Sequence, residues 1–147
     1  MSQVSGALPP SIRNDDVKAE IRKSLTQSAS AFNRGDIETI LGSYAADAVV
    51  LPPNSPAEQG IVAIRQLWES LLAAGYRNAM FDVDEIEHWG DVALAIGRYK
   101  VQIANTAGAI EEDRGKYVGH WRRMQDGRFR VTVSMWYSDR WQRPGQP

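Results

Sequence analysis

The chain has 147 residues, 43% of them apolar, which is enough for one domain with one hydrophobic core. Its 17 basic and 18 acidic residues leave a net charge of -1, which gives no electrostatic reason to expect nucleic acid or an anionic membrane as a partner. Without cysteine, a disulfide framework, a thiol nucleophile and a thiolate metal site are excluded. We expect a cytoplasmic location, because a chain without cysteine fits a reducing compartment. We expect no membrane span, because charged residues interrupt every apolar stretch.

The first half of the chain predicts three helices. Asn14 is a capping residue for a first helix that ends at Gly35, and Asp36 caps a second, shorter helix. Apolar residues recur at helical spacing over residues 61–74 and predict a third helix. We expect residues 13–140 to form the single domain, and the segments on either side to be tails: residues 1–12 and residues 141–147.

The remaining segments predict strands. Residues 48–51 form a short β-branched run that stops at a proline-rich loop. Four longer segments are rich in Val, Ile and aromatic residues and are separated by turn sequences: 80–88, 92–104, 114–124 and 129–137. Their short connections favour an antiparallel meander. The sequence therefore predicts an α+β fold in which the three helices cover one face of a sheet.

Several local sequences occur in an informative order. They lie at the predicted helix corner, in the first strand, at the start of the third helix and on later strands: residues 31–36, 44–53, 60–68, 97–99, 113–117, 121–123 and 136–139. This order resembles the nuclear transport factor 2-like superfamily, and within it the SnoaL-like, ketosteroid isomerase-related group. The resemblance implies a cone-shaped, curved, antiparallel or mixed sheet wrapped around the three helices, as in a cystatin-like roll, with a small-molecule pocket inside.

The resemblance also provides a test for steroid isomerase chemistry. Those enzymes need a carboxylate base, and a tyrosine with a protonated aspartic acid to bind the developing oxyanion. Aligned by the resemblance, these three positions carry Pro52, Ser28 and Gly119 in this chain. Proline and glycine can neither exchange a proton nor donate a side-chain hydrogen bond, so that mechanism is rejected. Tyr44 and Trp68 match aromatic pocket-wall positions, which implies that the cavity persists without this chemistry.

The facing of the strands follows from placing Gly119 inward by the resemblance. On the two flanking strands, the alternation of side chains then directs two sets of residues toward the helices. These sets are Ile96, Arg98 and Lys100 on one strand, and Thr132, Ser134 and Trp136 on the other. On the strand of Gly119 itself, Tyr117, Trp121 and Arg123 face inward, whereas His120 and Arg122 face outward. An inward Arg98 would either bind an anionic ligand group or pair with an internal carboxylate.

We predict a pocket for a small apolar or aromatic ligand, lined by Tyr44, Trp68, Arg98, Tyr117, Trp121, Ser134 and Trp136. Each aromatic residue taken alone is more often part of the core, and it is the set together that indicates a pocket. No catalytic residue is assigned, since His88 lies beside a turn and His120 points away from the cavity. The carboxylates nearest to the presumed cavity are Asp82, Asp84 and Asp113. No zinc motif or nucleotide fingerprint is present, and we predict neither a metal nor a cofactor.

The outer sheet face is predicted to carry the apolar residues Tyr99, Val101, Ile103, Val131, Val133 and Met135. Such a face normally marks an interface, and we predict a twofold homodimer through it. Two functions remain open. One is a cofactor-independent isomerase, dehydratase or cyclase of a small apolar or aromatic metabolite, and the other is a non-catalytic ligand-binding or dimeric accessory domain.

Overall fold

The computed structural model describes residues 14–140. Its three helices all lie in the first half of these residues. α1 spans Asn14–Asn33, α2 spans Ile37–Gly42 and α3 spans Ile61–Ala73, close to the predicted bounds. The predicted tails lie outside the described residues. No helix within residues 14–140 is both long and apolar enough to cross a bilayer.

The corner between α1 and α2 forms as the sequence predicts. Gly35 has a φ of 74°, the left-handed conformation that ends a helix at low cost in glycine. Asp36 caps α2 by accepting hydrogen bonds from the Thr39 backbone nitrogen at 3.2 Å and from the Thr39 hydroxyl at 2.6 Å. These contacts fix the direction in which α2 leaves α1.

The six strands form one mixed sheet. They are β1 (Tyr44–Leu51), β2 (Glu58–Gln59), β3 (Tyr76–Trp89), β4 (Val92–Ala104), β5 (Ile110–Arg123) and β6 (Phe129–Ser138). Their order is β2-β1-β6-β5-β4-β3. The antiparallel meander from β3 to β6 confirms the prediction. β1 starts earlier than predicted and runs parallel to β6, and the short β2, which was not predicted, pairs with β1.

The core lies between the helices and the concave face of the sheet. Its largest fully buried side chains are Trp121, Ile21, Ile64, Val17 and Val50. α1 is also fastened to β3 by a polar contact, because the Asn33 side-chain amide bonds both backbone groups of Ala79, at 2.7 and 3.0 Å. The Asn33 amide thus satisfies the two backbone groups of Ala79, which would otherwise need a neighbouring strand as their partner.

The β4–β5 hairpin sets which side chains reach this core. Ala104 pairs with Ile110, so the loop between them has five residues, whereas the predicted turn sequence, 105–108, has four. The Asn105 side chain accepts hydrogen bonds from the backbone nitrogens of Ala107 and Ala109, which stabilises the longer loop. One additional loop residue exchanges the two faces of the partner strand.

The predicted facing of β4 was therefore wrong. Three residues predicted to point inward lie on the outer face: Ile96, Arg98 and Lys100. Three residues predicted to point outward share the inner face: Tyr99, Val101 and Ile103. Of these, Tyr99 and Val101 are buried. The register error came from the loop length alone, since the inward position of Gly119 was correct.

A β-bulge changes the facing of β6 in the same way. The pairing passes from His120 with Val133 to Trp121 with Val131, which leaves Thr132 without a partner across the strands. Thr132 was predicted to face inward, but its hydroxyl donates to the His120 carbonyl oxygen at 3.1 Å. Val131 was predicted to face outward, but it is buried and lines the interior.

Candidate functional site

A cavity of about 130 Å³ lies between the helices and the concave face of the sheet. Nine aromatic side chains line it: Phe32, Tyr44, Trp68, Tyr76, Phe81, Tyr99, Tyr117, Trp121 and Trp136. The remaining lining residues are mostly aliphatic or small. The interior surface of the cavity is therefore predominantly apolar and aromatic.

The structure brings six of the seven predicted pocket residues to this cavity: Tyr44, Trp68, Tyr117, Trp121, Ser134 and Trp136. The seventh, Arg98, lies on the outer face with 65% of its side chain exposed. Its guanidinium bonds Asp84 with both Nε and Nη2, at 3.1 and 2.9 Å, and lowers the pKa of that carboxyl. The prediction of Arg98 as a ligand-binding residue was wrong, and the described cavity lining contains no Lys, Arg or His.

One wall of the cavity is built from stacked rings. Trp68 and Trp136 are nearly parallel, with centroids 5.8 Å apart, and Phe32 packs edge-on against Trp68 at 5.7 Å. Helices α1 and α3 thus meet strand β6 through aromatic contacts. Each ring contributes both to the core and to the cavity surface.

Two glycine–tyrosine pairs form the floor of the cavity. Tyr117 of β5 lies opposite Gly97 of β4, and Tyr99 of β4 lies opposite Gly115 of β5. A Cβ atom on Gly97 would lie 2.7 Å from the Tyr117 hydroxyl, and one on Gly115 would lie 2.6 Å from the Tyr99 ring. Each tyrosine therefore lies flat across a strand that has no side chain at that position.

Three buried polar atoms in the cavity lining have no hydrogen-bond partner within residues 14–140. They are the indole nitrogens of Trp68 and of Trp121, a residue only 1% exposed, and the hydroxyl of Tyr117. Gly119 lies between Tyr117 and Trp121 on the inner face of β5. Because Gly119 has no side chain, the Trp121 indole can lie over it, with its Nε1 3.1 Å from the position that a Cβ of residue 119 would take. Burial raises the pKa of Tyr117 to about 12, so the phenol keeps its proton at neutral pH and can donate it.

Tyr44 is, with Tyr99, one of the two buried tyrosines of the site. Burial raises its pKa to about 12, and the nearby Trp68 indole and Ser134 hydroxyl offset part of that effect. The Trp68 N–H lies close to the Tyr44 oxygen without completing a hydrogen bond. Tyr44 is thus a neutral, protonated group at physiological pH.

Asp113 lies at another part of the cavity lining and was not among the predicted pocket residues. Its carboxylate accepts hydrogen bonds from Ser138 Oγ at 2.6 Å and from the Tyr99 hydroxyl at 3.2 Å. Burial, with the adjacent Asp113 charge, raises the pKa of Tyr99. Sequence reasoning missed Tyr99 because of the hairpin loop, whereas the correct alternation would have placed Tyr99 and Asp113 on one face.

The three positions that differ from the steroid isomerases lie in or beside the cavity. Ser28 and Gly119 line it, and Pro52 is buried next to the lining residue Pro53.

Neither histidine lines the cavity: His88 contacts the Gly90 carbonyl oxygen, and His120 contacts Thr132. Arg123, predicted to face inward, pairs instead with Asp91 at 2.6 Å. Within residues 14–140, no cluster of His, Asp and Glu is suited to hold a metal ion.

The arrangement of helices, sheet and cavity agrees with a comparison of the sequence with protein families. The model of the SnoaL-like domain matches residues 25–132, more than half of the chain. The chain belongs to the SnoaL-like domain family. No curated protein matches the SnoaL-like chain significantly.

Solved structures show the same fold at low sequence identity. A ketosteroid isomerase-like protein from Erwinia carotovora atroseptica matches with a TM-score of 0.77 and 19% identity, covering 87% of this chain and 99% of its own. A nuclear transport factor 2-like superfamily protein from Salmonella enterica serovar Typhimurium matches with a TM-score of 0.77 and 13% identity. The match covers 92% of this chain and 99% of that protein. A protein of unknown function with a cystatin-like fold from Nostoc punctiforme matches with a TM-score of 0.69 and 16% identity. The match covers 92% of this chain and 97% of that protein. These matches confirm the α+β, nuclear transport factor 2-like fold of this SnoaL-like protein.

Proposed function

We propose that this SnoaL-like domain binds a small, flat, apolar molecule that carries one hydrogen-bond acceptor, and that it does so without catalysing a reaction. The observation that carries the proposal is the pair of buried donors, Trp121 Nε1 and Tyr117 OH, which lack a partner within residues 14–140 and line an aromatic cavity. A buried donor without a partner is unfavourable by about 1–3 kcal/mol, which a ligand oxygen would recover.

The cavity volume limits the size of the ligand. About 130 Å³ is close to the roughly 150 Å³ of an engineered apolar cavity that admits benzene. A molecule with a single ring, or with two small fused rings, fits this volume. A four-ring steroid would require the helices to move away from the sheet.

The composition of the lining supports binding over isomerase, dehydratase or cyclase activity. Proton transfer near neutral pH needs a group of matched pKa within reach of the ligand. The described lining has no histidine or lysine, and its carboxylate, Asp113, is already held by two hydroxyl groups. The positions that carry the isomerase groups hold Ser28 and Gly119.

A comparison of acetophenone with ethylbenzene tests this proposal, because the two have similar shape and only acetophenone has an acceptor oxygen. We expect both to quench tryptophan fluorescence, and acetophenone to bind about tenfold more tightly, as one net hydrogen bond implies. Tyr117→Phe should reduce this preference, and the exposed Tyr137→Phe should leave it unchanged. Absence of quenching by both compounds, or unchanged binding in Trp68→Ala, would contradict the proposal.

We also propose that the protein forms a homodimer through the outer face of the sheet. On this face, Ile96, Val133 and Met135 are 40%, 39% and 43% exposed, and the paired residue Val118 joins Ile96 to Met135 in one row. In a twofold dimer, a second copy of the same face would cover this apolar row and remove it from water. Of the six residues predicted for this surface, Val133 and Met135 lie on it.

Light scattering at micromolar concentration tests the homodimer. The wild-type protein is expected to have the mass of two chains, and Met135→Lys is expected to raise the dissociation constant at least about tenfold, because it buries a charge. Val62→Lys is the control, since Val62 is 73% exposed on α3, away from the sheet face. A wild-type monomer, or equal dissociation of the two variants, would argue against this surface.

A further inference from the structure

The Asp113 carboxylate differs from the other acidic groups of the protein that form ion pairs. Its side chain is 13% exposed, whereas the other paired carboxylates are between 32% and 74% exposed. It is also the single acidic group among the described residues that line the cavity. The cavity therefore contains one carboxylate within an otherwise neutral, aromatic lining.

The Asp113 carboxylate has one cation beside it, Arg140, and that cation makes no hydrogen bond to it. Ser138 and Tyr99 are neutral donors, and each occupies one carboxylate oxygen. The nearest cation, Arg140, has its Nε 3.9 Å from Asp113, and its terminal nitrogens are directed to Glu111 at 3.2 Å and to the Glu112 carbonyl oxygen at 2.9 Å. A carboxylate accepts about four hydrogen bonds, so Asp113 retains acceptor capacity.

The aromatic residues around Asp113 favour a cation over an anion. Tyr99 donates to Asp113, and burial followed by the Asp113 charge raises the pKa of Tyr76, which also lines the cavity. Faces of tyrosine and tryptophan rings attract ammonium groups, by about 0.5–2 kcal/mol when the group is desolvated. An anionic ligand would instead meet Asp113 without any cation in the described lining.

From this arrangement we infer that the cavity selects a small protonated amine, with Asp113 as its counter-ion and the surrounding rings as its walls. The inference rests on the ligand binding proposed above, and it adds the charge of the ligand. The amine would occupy the Asp113 end, and an acceptor group of the same molecule could meet Trp121 and Tyr117. The ligand class is thus an aromatic or short aliphatic amine of single-ring size.

Titration calorimetry with toluene, benzyl alcohol, benzylamine and benzoate tests this inference on the wild-type protein. These probes share one ring and differ in the polar group. Benzylamine is expected to bind at least about tenfold more tightly than toluene, and also more tightly than benzyl alcohol, because a charge-assisted hydrogen bond is roughly twice as strong as a neutral one; benzoate is expected not to bind. Toluene or benzyl alcohol binding as tightly as benzylamine would overturn the amine inference while leaving the apolar cavity in place. Failure of all four probes to bind would overturn both proposals.

Variants assign the selectivity to Asp113. Asp113→Asn is expected to weaken benzylamine binding about tenfold and to change toluene binding less than about twofold. Glu112→Gln is the matched control, because it removes the same charge from the adjacent residue, whose exposed side chain pairs with Arg114. Equal losses in Asp113→Asn and Glu112→Gln would contradict a role for Asp113 inside the cavity. If Asp113→Asn does not fold, the wild-type order of the four probes decides the inference.

Discussion

Gly97→Ala is expected to lower the free energy of unfolding by about 3 kcal/mol, because overpacking at a site with no free space is costly. The new methyl group would lie 2.1 Å from the Asp82 carbonyl oxygen and 2.7 Å from the Tyr117 hydroxyl. The backbone oxygen cannot move without disturbing the β3–β4 pairing, so the strands must separate locally. Urea unfolding, followed by circular dichroism, measures the loss.

The control for this substitution is Gly42→Ala. Gly42 is the last residue of α2, and nothing within the described residues lies within 4 Å of its Cβ position. Alanine there should change the unfolding free energy by less than about 0.5 kcal/mol. A loss below about 1 kcal/mol in Gly97→Ala would show that Tyr117 does not depend on the glycine, and with it the proposed floor of the cavity would be wrong.

Alkaline pH is expected to destabilise the protein through Tyr44. The pKa of Tyr44 is raised to about 12 from an ordinary value of 10.0, so the folded state holds its proton more tightly than the unfolded state does. The contribution is fully present below pH 10 and is lost as the pH rises toward 12. Between pH of about 9 and about 11.5, we expect Tyr44 to account for a loss of about 2 kcal/mol.

Urea unfolding of wild type, Tyr44→Phe and Tyr137→Phe at the two pH values isolates this effect. Other buried tyrosines contribute in all three proteins, so the difference between curves is the informative quantity. Tyr44→Phe should lose about 2 kcal/mol less than wild type over this range, and Tyr137→Phe should match wild type because Tyr137 is 57% exposed. Parallel curves for all three would mean that Tyr44 ionises freely in the folded protein.

The sequence predicted the three helices and the antiparallel meander because their signals are local. Helical spacing, the Asp36 cap and turn residues act over a few positions. The parallel pairing of β1 with β6 joins Tyr44 to Val131, and no local pattern reports a contact at that separation. The two-residue strand β2 is too short to have a period.

Five of the nine aromatic residues that line the cavity were predicted from the sequence, together with Ser134, whereas Asp113 and four aromatic residues were missed. Ser134 and Trp136 are inward as predicted, since the β-bulge changes the facing only before them. Arg98 and Tyr99 exchanged places because one loop residue between Ala104 and Ile110 decides their facing. Asp113 lies six residues before Gly119 on the same strand, so alternation from Gly119 turns it inward; it was missed because the predicted strand began one residue later, at 114.

The parallel pairing of β1 with β6 has a consequence for synthesis on the ribosome. β3, β4 and β5 are joined by short loops and can pair as soon as they emerge. β1 can pair early only with the two-residue β2, and its long neighbour is the last strand, β6. Until Val131 and its neighbours leave the exit tunnel, the aromatic wall that includes Trp136 is incomplete. We therefore expect a nascent chain that ends before β6 to expose its apolar interior and to be a chaperone substrate.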